Sequence, residues 1–174
     1  MAIRHLVRSS TTSSNGSNAF KYAKSLFARD KPIVLAGDYN VIPTELDAYK
    51  PERWVDDALF FPESRAAYQK LLWQGWTDAI RELHPDEAIY TFWDYFRNAF
   101  ARNAGIRIDH FLLNARAANM LGTGGDALEV RGWDKSSDHA PAWITLAEKS
   151  KGPARRSRKV QKAKAPRNRT NKGR

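Results

Sequence analysis

The chain has 174 residues, which is enough for one domain and too few for two full ones. Hydrophobic residues make up 42% of it, so it can build a core, and a wholly disordered chain is excluded. No stretch approaches the ~18 uninterrupted apolar residues of a membrane-spanning helix, and residues 1–20 lack the apolar run of a secretory signal. We therefore expect a soluble, cytoplasmic protein with no membrane partner. The absence of Cys excludes disulfides, thiolate zinc sites and Cys nucleophiles.

Charge is concentrated near the C-terminus. Residues 149–174 contain 12 Lys or Arg and no acid, against a net charge of +10 for the chain. They predict a disordered polybasic arm that attracts nucleic acid or an anionic membrane, or that serves only as a solubilising tail. Residues 1–18 are basic and rich in Ser, and they predict an unstructured transit peptide or the ragged start of a truncated domain. Residues 19–148 are then the folded body.

The body alternates between helical and strand patterns. Apolar residues at helical spacing predict a helix over residues 20–27, followed by a buried strand at 33–36 and a polar loop at 37–43. Further patterns predict helices at 64–73 and 76–83 and strands at 107–113, 127–130 and 142–146. Three glycines predict a turn between the first two of these strands: Gly122, Gly124 and Gly125. The predicted class is α/β or α+β, with helices covering a sheet.

Polar groups suited to catalysis stand at three strand ends or loops. Asp38 and Asn40 follow the first strand two residues apart, so an extended backbone would point them the same way. Asp109 lies inside an apolar strand, where a charge is costly unless it is paired. Asp138 and His139 lie in the loop before the last strand. We therefore predict that Asp109 pairs with His139 and makes its imidazole more basic.

These groups indicate metal-assisted phosphodiester hydrolysis. Oxygen donors with one imidazole and no thiol suit Mg²⁺, or Mn²⁺, rather than zinc. The metal polarises the phosphate, a His-Asp pair orients or deprotonates water, and Asn or His donates to the developing charge. Each motif alone is weak, because Gly-Asp-x-Asn is usually an Asx turn and Asp-His is usually part of a surface loop.

The order and spacing of LAGDYN, YTFWDYF, GIRIDHF and SSDHAP resemble those of the exonuclease III family of AP endonucleases, within the endonuclease/exonuclease/phosphatase superfamily. The resemblance runs from about residue 32 to residue 146. It implies one lobe of a four-layer α/β sandwich, because the Gln-Glu motif and catalytic Tyr of the family's N-terminal lobe have no match here. Another chain, or self-association, would then supply the missing lobe.

The resemblance implies a Mg²⁺-dependent AP endonuclease and 3′ exonuclease of base excision repair. Its partner would be double-stranded DNA with abasic sites or 3′ ends, in a bacterial cytoplasm and associated with the nucleoid. The resemblance assigns metal binding to Asp38, Asn40, Asp138 and His139. It also makes Asp38 the group that handles the proton of water or the leaving group, and Asn40 a group that stabilises the transition state. Asp109 would orient His139, which would contact the scissile phosphate.

The resemblance also implies substrate-binding residues. Phe92, Ile106 and Ile108 would form a pocket for the extrahelical abasic sugar, with Trp93 beside them. Core packing is the alternative for this cluster. Three residues in the loop between the motifs would contact phosphates, or would simply be solvated: Asn98, Arg102 and Asn103.

Two other functions stay open. One is an inactive truncated fragment, or a DNA-binding remnant that uses the basic tail. The other is a phosphatase acting on inositol or lipid phosphates, which Phe92, Trp93 and the Arg107-Ile108-Asp109 sequence disfavour.

Overall fold

A computed structural model describes residues 13–147, with side chains described from residue 18 onward. The predicted polybasic arm at 149–174 lies outside the described residues, as does most of the segment 1–18. Within the described range, every helix is too short or too polar to span a membrane.

Helices and strands alternate along the described chain, as the sequence predicts. In chain order they are α1 (Ser13–Phe27), β1 (Val34–Asp38), α2 (Pro62–Trp73), β2 (Thr77–Asp78), α3 (Ala79–Leu83), β3 (Asp109–Leu113), α4 (Ala115–Ala118), β4 (Leu121–Asp126), α5 (Leu128–Arg131) and β5 (Ala142–Leu146). Short 3-10 turns lie at Glu45–Asp47, Pro51–Arg53 and Phe96–Asn98. The strands form two antiparallel sheets, one ordered β1-β3-β2 and one made of β4 and β5. The predicted mixed α and β class is confirmed.

Two of the predicted helices have wrong boundaries. Helix α1 begins at Ser13, inside the segment predicted to be unstructured. Residues 76–83 are not one helix, because β2 comes first and α3 begins only at Ala79. The side chain of Asp78 accepts a hydrogen bond from the backbone N–H of Arg81 at 3.3 Å. Asp78 is therefore the N-cap, and a capping residue keeps non-helical backbone geometry.

The glycine-rich segment is a strand and not a turn. All three glycines lie in β4, and the predicted strand at 127–130 is mostly the short helix α5. A Cβ added at Gly124 would lie 2.8 Å from the carbonyl oxygen of Trp143 on β5. Glycine at this position permits a close approach between the strands. From the sequence alone, the same glycines predict a turn, because the neighbouring strand is not visible there.

Strand β3 lies at the centre of the core. Leu112 and Leu113 are both fully buried and belong to different apolar clusters, because neighbouring strand residues face opposite sides of a sheet. Leu112 packs in the cluster that contains Leu26 of α1, and Leu113 packs with Ala79 and Ala117. The end of β3 is thus buried on both faces of the sheet by this chain, whereas the residues of β1 are half-buried or exposed.

A buried ionic network lies where β3 begins. Arg107 is 1% exposed, and its guanidinium donates to Asp47 at 2.7 Å and to Asp78 at 2.8 and 3.0 Å. Burial alone would raise the pKa of both carboxyls, but the charge and hydrogen bonds of Arg107 outweigh it and hold each pKa below its usual value. The network joins the loop after β1 to the starts of β3 and α3.

His110 completes this network as a neutral ring. Its Nε2–H donates to the Val41 carbonyl oxygen at 3.0 Å, and its Nδ1 accepts from Arg107 at 3.1 Å. Burial, helped by the charge of Arg107, lowers the pKa of His110 to about 4. Protonation at Nδ1 would place one N–H against another, so the network requires the neutral form.

Candidate active site

The first motif forms a tight turn at the end of β1. The backbone N–H of Tyr39 donates to the Ile108 carbonyl at 2.9 Å, and the chain then leaves the strand. Asn40 has φ 49°, and its backbone N–H donates to the Asp38 carboxylate at 2.8 Å. The extended geometry predicted for Asn40 is therefore wrong, since this is the Asx hydrogen bond usual for Asp in a turn. Asp38 and Asn40 are both exposed at the end of the strand.

The predicted pair of Asp109 and His139 is present. His139 Nδ1 and Asp109 Oδ2 are 2.8 Å apart, and the two side chains are 31% and 23% exposed. Asp109 is the first residue of β3 and lies opposite Asp38 in the antiparallel register. With Nδ1–H given to the carboxylate, the ring keeps Nε2 for another partner.

Carboxylates control the charge of His139. The hydrogen bond that His139 donates to Asp109 raises the pKa of His139 and outweighs the opposing effect of burial. The negative charges of Asp109, Asp38 and Asp138 raise it further. The site therefore stabilises the imidazolium form of His139 relative to the neutral ring.

Backbone hydrogen bonds hold the loop that carries His139. Phe92 forms antiparallel bridges with both Ile106 and His139, so the segment around it lies between the two other motifs. The Trp93 N–H donates to the Asp138 carbonyl at 2.9 Å. Ser137 Oγ accepts the His139 N–H at 3.1 Å. The ring of Phe92 packs edge-on to the imidazole, with centroids 5.2 Å apart.

The three residues predicted to form the sugar pocket, together with Trp93 beside them, are mostly core residues in this structure. Ile106 and Ile108 are 1% and 3% exposed and pack in one cluster with Ile42, and Trp93 is 1% exposed in another. Core packing, the alternative reading, accounts for these three side chains. Of the four, only Phe92 is partly exposed, and its contact with a substrate stays a prediction.

The predicted phosphate contacts lie on an exposed loop. Asn98 and Arg102 are exposed, and Asn103, also exposed, accepts a hydrogen bond from the Trp93 indole at 3.1 Å. Arg102 lies with Arg53 and Arg97 on the walls of an open cleft of about 590 Å³. The loop therefore presents cations to solvent, and its contact with phosphate stays a prediction.

The described residues do not form a closed metal cage. Within residues 13–147, no group of three or more His, Asp or Glu is placed to hold a metal ion. Magnesium in enzymes is commonly held by one or two carboxylates, with water and substrate phosphate completing the octahedron. Asp38 and Asp138 offer donors of that kind, so their chemistry fits an open site of this type. His139 has only Nε2 left, because Nδ1 is paired with Asp109.

The residues that position the site from the core were not predicted from the sequence. Arg107, Asp47, Asp78 and His110 were not predicted to interact, and Thr91 was not singled out. The partner of Asp109 was predicted because burying an unpaired charge is costly, and the same cost applies to Arg107 two residues earlier. That argument signals that Arg107 needs partners, but the partners come from distant parts of the sequence.

Residues 4–139 match the Endonuclease/Exonuclease/phosphatase family, and the chain belongs to this family. It is 41% identical over 127 residues to DNA repair nuclease APEX1 of Danio rerio, an alignment that covers 72% of this chain and 39% of that protein. It is 35% identical over 130 residues to exodeoxyribonuclease III of Haemophilus influenzae, covering 71% of this chain and 49% of that one. The chain thus spans about half, or less, of the length of these relatives.

Solved structures show the same fold. The 3′-5′ exonuclease NExo of Neisseria meningitidis superposes with a TM-score of 0.73 at 34% identity, over 76% of this chain and 52% of that one. An AP endonuclease from Archaeoglobus fulgidus superposes with a TM-score of 0.66 at 30% identity, over 77% of this chain and 55% of that one. A further Neisseria NExo structure, described as a 3′ phosphatase, is bound to a product DNA hairpin.

Proposed function

We propose that the chain carries the catalytic His-Asp pair of a Mg²⁺-dependent DNA repair phosphodiesterase that cleaves 5′ to abasic sites and trims 3′ ends. The observation that carries the proposal is the 2.8 Å hydrogen bond between His139 and Asp109, with Asp38 and Asp138 close enough to raise the pKa of the ring. Kinship with a DNA repair nuclease and an exodeoxyribonuclease III supports DNA as the substrate.

In this mechanism His139 contacts the scissile phosphate through Nε2. Its raised pKa extends the pH range over which the ring is an imidazolium, and a fixed cation stabilises the negative charge that develops on the phosphate oxygens. Asp109 keeps the ring oriented, as the carboxylate does in other His-Asp pairs. Asp38 accepts a proton from water or returns one to the leaving group, and the Asn40 amide donates to the phosphate. Magnesium held by Asp38 and Asp138 would polarise the phosphate.

The decisive experiment is cleavage of a DNA duplex that carries one abasic-site analogue. The purified chain is incubated with Mg²⁺ or with EDTA, beside the same duplex without the analogue. We expect a nick at the analogue with Mg²⁺ only. A nick that persists in EDTA would contradict the metal requirement, and equal cleavage of the two duplexes would contradict specificity for abasic sites.

A second candidate is a DNA-binding chain without nuclease activity. The described residues contain no cluster of three or more His, Asp or Glu that could hold a metal ion, and this favours the second candidate, together with the 12 cations of residues 149–174. DNA binding without a nick would support this candidate and contradict catalysis by the chain alone. If the nick instead appears only when a second protein is added, the active site is completed by another chain.

Deleting residues 149–174 is expected to reduce the salt dependence of DNA binding. Each phosphate that a cation neutralises contributes about −0.9 to the slope of log affinity against log salt concentration. Loss of several contacts should therefore flatten the slope by several units, while the nicking rate at low salt is retained. Fluorescence anisotropy with labelled duplex between 50 and 200 mM salt measures the slope. An unchanged slope would show that these cations do not contact DNA.

A further inference from the structure

A buried threonine joins the two segments that carry the His-Asp pair. Thr91 is 1% exposed, and its hydroxyl oxygen lies 3.2 Å from the backbone nitrogens of both Ile108 and Asp109. Each N–H donates to this one oxygen. The hydroxyl therefore fixes the backbone at the residue that supplies the carboxylate of the pair.

The strand pairing explains why a side chain is needed at this place. Strand β2 pairs with β3 only at Leu112 and Leu113, so β2 does not reach Ile108 and Asp109. A buried backbone N–H left without a partner costs free energy comparable to a lost hydrogen bond. The Thr91 hydroxyl takes the place of a strand neighbour for Ile108 and Asp109.

The backbone of Thr91 holds the other half of the pair. Its carbonyl oxygen accepts the N–H of Ala140, the residue after His139, at 2.8 Å. The next residue, Phe92, bridges His139 directly. Thr91 thus contacts the chain at Asp109 through its hydroxyl and at Ala140 through its carbonyl.

We infer that Thr91 is a positioning residue for the Asp109 and His139 pair, an inference that rests on the proposed function in treating this pair as catalytic. Thr91 acts through hydrogen bonds to the backbone. It forms no hydrogen bond with the imidazole of His139 or the carboxylate of Asp109. Its hydroxyl sets where the Asp109 carboxylate lies, and its carbonyl sets where the His139 loop lies. Loss of the hydroxyl should therefore misalign the pair without removing either member.

The test compares Thr91→Val with Thr91→Ser. Valine keeps the shape and loses the oxygen, whereas serine keeps the oxygen and loses a methyl group. Misplacing catalytic groups, or removing a partner that orients them, costs about 10- to 100-fold in rate. We expect a loss of that size in the nicking rate of Thr91→Val, mainly in kcat, and recovery in Thr91→Ser. Thr145→Val is the control for the loss of a hydroxyl that accepts a backbone N–H, because the exposed Thr145 accepts from Thr123 at 2.8 Å in the other sheet.

A second readout does not depend on nicking. The ¹⁵N shifts of the His139 ring, measured where the ring is neutral and assigned with His139→Gln, report which nitrogen carries the proton. Pairing with Asp109 selects Nδ1–H, so the parent, Thr91→Ser and Thr145→Val should show mostly this tautomer. Thr91→Val should show a mixture. If the valine variant does not fold, Thr91→Ala is compared with Thr91→Ser in its place.

The two readouts separate failure of this inference from failure of the proposed function. A parent that does not nick DNA contradicts the proposed function, and the tautomer comparison then decides the role of Thr91 by itself. Parent-like tautomers in Thr91→Val, or a serine variant as impaired as the valine variant, would overturn the inference.

Discussion

Replacing His139 with Gln is expected to lower the nicking rate by a factor of about 10² to 10³, the range typical of a lost group that stabilises charge in the transition state. Glutamine keeps a polar side chain of similar length, but it cannot carry a positive charge at the phosphate. DNA affinity should change little, because most affinity for DNA comes from phosphate contacts spread over the surface. Single-turnover rates and binding isotherms measured on the same duplex separate the two effects.

The Asp109→Asn variant tests how the pair works. Asparagine retains a hydrogen-bonding oxygen but removes the charge, so the pKa of His139 should fall. Nicking that needs the imidazolium of His139 is lost as the pH rises through the pKa of this ring. The alkaline limb of the rate profile should therefore move to lower pH in Asp109→Asn. An unmoved limb, with a lower rate at every pH, would indicate that Asp109 acts by orienting the ring and not by charging it.

The His-Asp pair was predictable because its physical cause is local. A carboxylate within the apolar run of residues 107–113 demands a partner, and the sequence offers an acid-flanked His139 before the last strand. Asn40 was placed wrongly because its conformation depends on a turn that forms when the Asp38 carboxylate accepts the Asn40 N–H. The period of a strand applies only as far as the strand continues.

Elements set by distant contacts were not predictable in the same way. From the neighbouring sequence alone, the glycines of β4 predict a turn. Only the close approach of the Trp143 carbonyl oxygen to Gly124 shows why glycine is suited to this strand. Trp93 and Ile106 lie beside the site in sequence, but at 1% exposure they are core residues. Proximity along the chain to a catalytic motif does not determine which face a side chain takes.

Replacing Arg107 with Met is expected to lower the free energy of unfolding by about 3 to 5 kcal/mol, the usual cost of removing one partner of a buried ion pair. Asp78 would remain buried, at 8% exposure, without its guanidinium partner, and Asp47, at 0% exposure, would keep only its ion pair with Arg81. Arg116→Met is the matched control, because Arg116 pairs with Asp30 on the exposed surface and such pairs contribute about 0 to 1 kcal/mol. Urea unfolding at pH 7 measures both. Equal losses in the two variants would contradict the importance of the buried network.

The same network should make the fold sensitive to acid. The pKa of His110 is about 4 in the folded chain against about 6.5 for an ordinary His, so between these values the unfolded chain binds the extra proton. Stability is then fully present above about pH 6.5 and falls by up to about 1.4 kcal/mol per pH unit towards pH 4. His110→Gln can keep the contacts with Val41 and Arg107 without titrating, so its stability should fall less steeply over this interval. An equally steep fall over this interval would show that His110 is not its source. Asp47 and Asp78, whose lowered pKa values make them lose stabilisation mainly below about pH 4, act at lower pH.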